Sequence, residues 1–275
     1  DFVVDSTVDE IDAMPGDGIC VAIGGGCTLR AAIIEANQFP GPDTVFVPEG
    51  TYTLALAGTA EDDGLTGDLD VSDEVSITGT GAGSTILDGA GLDAVLDLWS
   101  GSESLSTATI EISGLTITGG SGSGISSGPY PGDVTISDCA IERNAGAGFY
   151  GFGNGKSVTI LRTGIVHNDG TPIYFRTGNL TIDHSLIADN GLRASSAFIP
   201  RFITLHLTNT VVENNWDWRF IGDDSNVVIE NSLFRNNTGG APIGGGTDGS
   251  LEIRGTTIEG NHSSGAGGIH LAWSV

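Results

Sequence analysis

"DVTISDCAIERN" (133–144), "SVTILRTGIVHN" (157–168) and "NLTIDHSLIADN" (179–190) are three copies of one pattern. Aligned on Ile136, Ile160 and Ile182, the pattern extends to Ile112 before them and to Leu207, Ile229 and Ile253 after them, at spacings of 22 to 25 residues. Two positions before each anchor stand Ile110, Val134, Val158, Leu180, Leu205, Val227 and Leu251. Five positions after it stand Ile117, Ile141, Ile165, Ile187, Val212, Phe234 and Ile258, and three after it mostly small residues from Cys139 to Thr256. Apolar residues at every second position describe a strand with one inward face. Eight positions after the anchor stand Asn144, Asn168, Asn190, Asn215, Asn237 and Asn261. Asparagine tolerates a left-handed backbone, and stacked amides bond to the amide above and below. This column therefore predicts a turn that ties successive layers together. No helical pattern interrupts the units. The fold predicted is all-β: a single-stranded right-handed parallel β-helix, a solenoid of roughly nine or ten coils. The hand is an expectation from the coil length. A β-sandwich or propeller would need hairpin turns and antiparallel alternation, and Asn-Gly turns between paired strands are scarce.

The chain has 275 residues, 44 of them glycine, and a formal net charge of −25, with Lys156 its one lysine. So acidic a surface repels nucleic acid and anionic lipid, which are held by Lys and Arg. It suits polyuronates only where metal ions bridge. No apolar run is long enough for a membrane-spanning helix.

Ahead of the repeats, "CTLRAAIIEANQF" (27–39) reads as a helix over 28–38. Leu29, Ala32, Ile33 and Ala36 share one face, with Arg30 and Glu35 elsewhere. A solenoid exposes an unpaired rung and an apolar column at each end, so the helix is expected to plug the first coil. The predicted organisation is a cap over 1–41 and the β-helix over 42–275. Cys20 and Cys27 flank "VAIGGG", a loop flexible enough to close a disulfide, with two free thiols as the alternative; Cys139 is expected to be reduced and buried.

The stretch "DGIC…CTLRAAIIEAN…DTVFVPEGTYTL…EDDGLTGDLDV…SITGTGAGSTILDGAG" resembles the N-terminal region of secreted bacterial β-helix proteins of the CSLREA-motif type, over about residues 2–93. The motif reads Cys27-Thr28-Leu29-Arg30-Ala31-Ala32, with Thr for Ser and Ala for Glu. The resemblance implies an exported protein, secreted or held at the surface of a bacterium.

Outward positions supply the candidate sites. Asp138, Arg162 and His184 lie two residues after their anchors on successive coils, with Asp183 beside His184. They form a candidate acid/base cluster for a polysaccharide lyase or hydrolase, against the alternative of an ordinary polar face. The "GDDS" at 222–225 lacks the neighbouring carboxylate and histidine that polygalacturonase-type hydrolysis needs. Tyr150, Tyr174, Trp216 and Trp218 are candidates for binding sugar rings or a protein, the alternative being that some fold inward under glycine-rich turns. Asp5, Asp9, Asp12 and Asp17 are weak candidates for Ca²⁺, lacking the spacing of a calcium loop; no other cofactor is expected.

These readings favour a non-catalytic, exported module that acts by binding or assembly in adhesion, envelope or matrix, with a polysaccharide lyase or hydrolase as the rival. The last repeat carries Ile269, Leu271 and Trp273 at inward alternation, with no cap after them. Self-association or an envelope partner is expected at that edge.

Overall fold

The computed structural model describes residues 1–59, 61–98, 108–128, 132–191, 197–198, 201–216, 219–222, 224–239, 243–245, 249–263 and 268–271. All the extended pairings between its named strands are parallel, as a solenoid requires. Asp133–Ser137 lies on Thr109–Ser113 and under Ser157–Leu161, with Ile136 registered on Ile112 and Ile160. The short strand Ala140–Glu142 lies likewise between Thr116–Thr118 and Gly164–Val166. A third strand completes each coil; Ile125–Ser127, Phe149–Phe152 and the start of Ile173–Asp183 stack in turn. That last strand runs 11 residues without a break, so the third and first faces fuse there into one 14-stranded sheet. Regular turns number about seven, fewer than the nine or ten expected. The rungs of Asp43–Thr53 and Val75–Asp88, which precede them, lie outside the regular repeat.

The inward columns are the ones the repeat marks. Anchors from Ile112 to Ile229, their i−2 neighbours and the i+5 column from Ile117 to Phe234 are all buried. In the last rung Leu251, Ile253 and Ile258 are only partly covered. Two columns of left-handed residues bend each regular coil. Gly114, Asp138, Arg162, His184, Asn209, Asn231 and Gly255 have φ between 46° and 65°. Gly119, Arg143, His167, Asp189, Asn214, Asn236 and Gly260 have φ between 54° and 75°. Gly, Asn and Asp adopt this region at least cost, which accounts for most of both columns.

Immediately after the second corner comes the asparagine ladder. The amide of Asn168 donates to Asn190 Oδ1 (3.0 Å) and to Ile141 O (2.9 Å), and its backbone N–H donates to the same Oδ1 (3.0 Å). The set repeats from Asn144 to Asn237, and Asn261 closes the series on Phe234 O (2.8 Å). A second ladder runs at the i+3 column. There Thr163, Ser185, Thr210, Ser232 and Thr256 accept from the backbone N–H of the preceding rung at 3.1–3.3 Å. Cys139 opens that column, buried, and burial pushes its thiol up to about 11.

The helix is Leu29–Gln38, N-capped by Thr28, whose Oγ1 accepts from Ala31 N (3.1 Å). Leu29, Ala32, Ile33 and Ala36 pack on the core as expected. Arg30 and Glu35 are not on an outer face: they are 1% and 0% exposed, Arg30 held by Asp9 and the 64–68 turn and Glu35 by the loop at Gly16 and Gly18. Arg30 places its N–H groups on Asp9 Oδ1 (2.6 Å) and Oδ2 (3.2 Å) and on the carbonyls of Gly64, Gly67 and Asp68 (2.8 Å each). Glu35 accepts from the N–H of Gly16 (2.6 Å) and Gly18. Cys20 and Cys27 form the disulfide, with Cα atoms 5.1 Å apart. The cap is also continuous with the solenoid, since Phe2–Val3 pairs in parallel with Val45–Phe46.

Asn190→Leu removes amide bonds to two rungs and strands the backbone N–H of Asn168. A loss of about 1–3 kcal/mol is expected in denaturant unfolding, the cost of buried groups left unpaired. A change within error would show that the ladder carries no stability.

Candidate functional site

The first candidate cluster stands on the first corner. Arg162 grips Asp138 with Nε–Oδ1 at 2.7 Å and Nη2–Oδ2 at 2.6 Å, which holds Asp138 below the usual carboxylate range. Asp183 accepts from Thr208 Oγ1 (2.6 Å) and Asn209 Nδ2 (2.8 Å) and meets His184 Nδ1 at 2.8 Å. Those hydrogen bonds, with Thr208 the strongest, hold it at about 2. All four side chains are substantially exposed. The corner thus separates into two self-satisfied pairs, Asp138–Arg162 and Asp183–His184. Asp138, Arg162 and His184 each stand at a left-handed position of the turn.

The N-terminal aspartates are not brought together. Asp5 accepts from Cys27 N (2.7 Å), Asp12 from Met14 N (2.7 Å) and Val21 N (3.0 Å), and Asp17 from Ile19 N (2.8 Å). Asp9 serves Arg30 and the N–H groups of Ala55 and Leu56; burial opposes its ionisation, but these partners hold its pKa low. Each carboxylate pins a separate stretch of loop. Among the described residues no group of three Asp, Glu, His or Cys is arranged to hold a metal.

Two of the four aromatic candidates do meet. Tyr150 and Tyr174 are register partners on the third face, stacked with ring centroids 4.6 Å apart and planes 12° apart. Phe152 sets its edge against both, at 5.7 and 5.9 Å. Arg176 Nη1 donates to Tyr174 Oη at 3.2 Å. Their neighbours Phe149 and Phe175 point inward and are fully buried, so the alternation leaves the tyrosines on the outer side as a ledge. Trp216 is 60% exposed on another part of the coil; Trp218 lies outside the described residues.

The column that carries the ledge holds something the repeat does not reveal. Asp70 registers on Asp97, Asp97 on Ser126, Ser126 on Tyr150 and Tyr150 on Tyr174. Below Tyr150 the face opens into a cleft of about 410 Å³, lined by Glu61, Asp62, Asp68, Asp93, Asp97 and Ser126 among others. Desolvation, reinforced by the charges of Asp93 and Asp97, pushes Asp68 up to about 7. Desolvation and the charge of Asp68 push Asp70 up to about 8. Asp97 is raised to about 6 by desolvation and by Asp62 and Asp93. Asp70 is 1% exposed; its Oδ2 accepts from Gly64 N (2.8 Å), while Oδ1 has no partner. Asp97 Oδ1 is also buried and unpartnered. The sequence signal was "EDDGLTGDLDV" together with "GLDAVLDL", two acidic segments whose Asp70 and Asp97 come to lie one rung apart.

A parallel β-helix is the class these features define, and the family model for a right-handed β-helix region matches residues 94–217. No curated protein matches the chain. Among solved structures, it is similar to the A-module of mannuronan C-5 epimerase AlgE4 from Azotobacter vinelandii, with 15% identity over 92% of this chain and 98% of that one and a TM-score of 0.42. It is similar to an alginate lyase from Paenibacillus sp. FPU-7, with 16% identity over 90% and 97% and a TM-score of 0.41. It is also similar to PfbA, a surface adhesin of Streptococcus pneumoniae, with 11% identity over 94% and 92% and a TM-score of 0.31.

The raised carboxylates fix a pH dependence. The folded chain holds protons on Asp68, Asp70 and Asp97 that the unfolded chain releases near 3.8. Their contribution to stability is complete below about pH 4 and is lost as pH rises through 6 to 8. Asp70→Asn carries a permanently neutral group in the same place. It is expected to melt higher than the parent at pH 8, by the equivalent of a few kcal/mol at about 1.4 per pKa unit, and to flatten the pH slope. Identical pH profiles for parent and variant would show that Asp70 does not carry the effect.

Proposed function

We propose that the protein is an exported β-helix module, secreted or held at a bacterial surface, that acts by binding saccharide on its third face. The observation that carries this reading is the outward Tyr150–Tyr174 stack braced by Phe152. Rings held by one another and by the sheet lose little freedom when a sugar ring lies on them, and aromatic faces on a polar surface suit that contact. Titration of neutral and acidic oligosaccharides, followed by intrinsic fluorescence or calorimetry, tests it. Tyr174→Ala is expected to weaken binding about tenfold, equivalent to ~1.4 kcal/mol. Absence of binding across such a panel, or binding indifferent to Tyr150→Ala and Tyr174→Ala, would overturn the reading.

The rival is catalysis at the Asp183–His184 pair, favoured by the 2.8 Å contact that orients the imidazole. Unsaturated product released from pectin, alginate or a glycosaminoglycan, and abolished by His184→Ala, would establish it instead.

Assembly at the last rung extends the proposal. Leu251, Ile253 and Ile258 are partly open there, whereas the corresponding Val227, Ile229 and Phe234 one rung earlier are buried. Ile269 registers on the fully buried Ile243 yet is 48% exposed. Of Leu271 only the strand backbone is described, and Trp273 lies outside the described residues. We expect light scattering to show concentration-dependent association of this chain that Ile253→Lys weakens; a strict monomer at high concentration would remove the assembly reading.

A further inference from the structure

The cleft beside the aromatic ledge is lined by like charges, and the nearby Arg30 offsets them only at Asp68. Its described lining includes five carboxylates and no Lys or Arg. Asp70, almost fully buried, presents an oxygen without a partner one rung from Asp97, whose own Oδ1 is equally bare. Carboxylates in adjacent rungs repel one another and favour a proton or a cation between them, since the donors they have, Gly64 N on Asp70 and the Ser126 side chain on Asp97, carry no full charge. The carboxylates are spread along the cleft wall from Glu61 to Asp97, and among the described residues no three converge as ligands of one metal ion. Such a spread fits several charges borne on an extended molecule better than one point charge. Ser126 lines the cleft and registers on Tyr150, so cleft and ledge are consecutive parts of one column that rises about 4.8 Å per rung.

We propose that cleft and ledge together form a groove for an amine-bearing oligosaccharide, a chain of de-N-acetylated amino sugars, with ammonium groups among the carboxylates and sugar rings on Tyr150 and Tyr174. This deepens the saccharide-binding reading and rests on it. The ammonium supplies several N–H donors to the carboxylates that line the cleft, and its charge offsets the repulsion among Glu61, Asp62, Asp68, Asp93 and Asp97. An acetylated sugar offers the ledge the same ring but brings no charge to the cleft. The chain's charge of −25 adds a long-range attraction that salt weakens.

The test compares calorimetric titrations of glucosamine tetramer, N-acetylglucosamine tetramer and CaCl₂ alone against the full chain. Asp97→Asn, the exposed cleft variant Asp62→Asn, Tyr174→Ala and the first-face control Glu111→Gln are titrated alongside. The glucosamine tetramer is expected to bind at least tenfold tighter than the acetylated one. Asp97→Asn and Asp62→Asn should each remove several-fold of that preference and leave the acetylated tetramer unaffected, while Glu111→Gln changes neither. Should Asp97→Asn fail to fold, Asp62→Asn carries the same comparison. Equal affinity for the two tetramers, with loss of both in Tyr174→Ala, would overturn the amine-sugar groove while the ledge reading stands. No binding of either tetramer would overturn the groove, and the ledge would then be judged on the wider panel. A preference that Glu111→Gln reduces as much as the cleft variants would expose diffuse attraction and overturn it. Saturable Ca²⁺ binding abolished by Asp97→Asn would overturn it in favour of a metal site.

Discussion

Every rung of this molecule must turn its corners directly over the corners of the rung before it. In a parallel stack the backbone hydrogen bonds run between rungs, so a misplaced corner leaves N–H and C=O groups without partners. The asparagine ladder enforces that alignment. Its amides bond to the next asparagine and to a carbonyl of the previous rung, and both contacts exist only when the rungs are in register. The distance from anchor to asparagine is the same in all six coils that carry one, while the rest of the coil varies in length. The variation is therefore confined to the side of the coil beyond the ladder, where the chain adds or drops residues without moving the corners. A slip of one residue would also swing the inward column to the outside, which compounds the penalty.

The same constraint makes the ends of the stack costly, and the first end is closed by charge as well as by apolar contact. Arg30 binds three carbonyls of the 64–68 turn and the carboxylate of Asp9, and Asp9 in turn holds two N–H groups of the 55–56 segment. One guanidinium thereby joins the helix, the wrapping loop and the first coil. A buried ion pair of this kind contributes little net energy compared with apolar packing, but removing one partner leaves a stranded charge. Its role here is to specify how the helix sits. Along the stretch from 27 to 30, Cys27 closes the loop, Thr28 caps the helix, and Arg30 reaches the coil beneath.

The turn that Arg30 holds also carries Asp68 and Asp70, so the closure of the first end and the acidic cleft share a segment. Stacking in register then sets Asp97 against Asp70 and the tyrosines above them. A parallel stack places like residues, and therefore like charges, at the short spacing of adjacent rungs. Where the residues are aromatic, this spacing gives a stacked ledge. Where they are carboxylates, it gives raised pKa values and buried oxygens without partners. The first corner shows the milder outcome, because Asp138 and Arg162 alternate in sign and neutralise each other in solvent.

The solenoid, its inward columns and the asparagine column were legible in the residues because each is a local pattern repeated at one period. Strand alternation needs only neighbours, and the ladder needs only the same residue at the same offset. The disulfide was legible to the extent that a glycine-rich loop permits it. The burial of Arg30 and Glu35 was not, since helical spacing identifies the apolar face but does not tell whether a distant loop covers the other one. Nor was the separation of the four N-terminal aspartates, each committed to a backbone N–H that composition does not display. Asp138, Arg162 and His184 form one column in the sequence; the structure sets them at a left-handed corner, where Arg162 pairs with Asp138 and His184 with Asp183. The acidic cleft belonged wholly to tertiary structure. Asp68 and Asp70 share one rung and Asp97 sits in the next, outside the regular repeat, and only the winding of the first coils brings Asp97 within range of the other two.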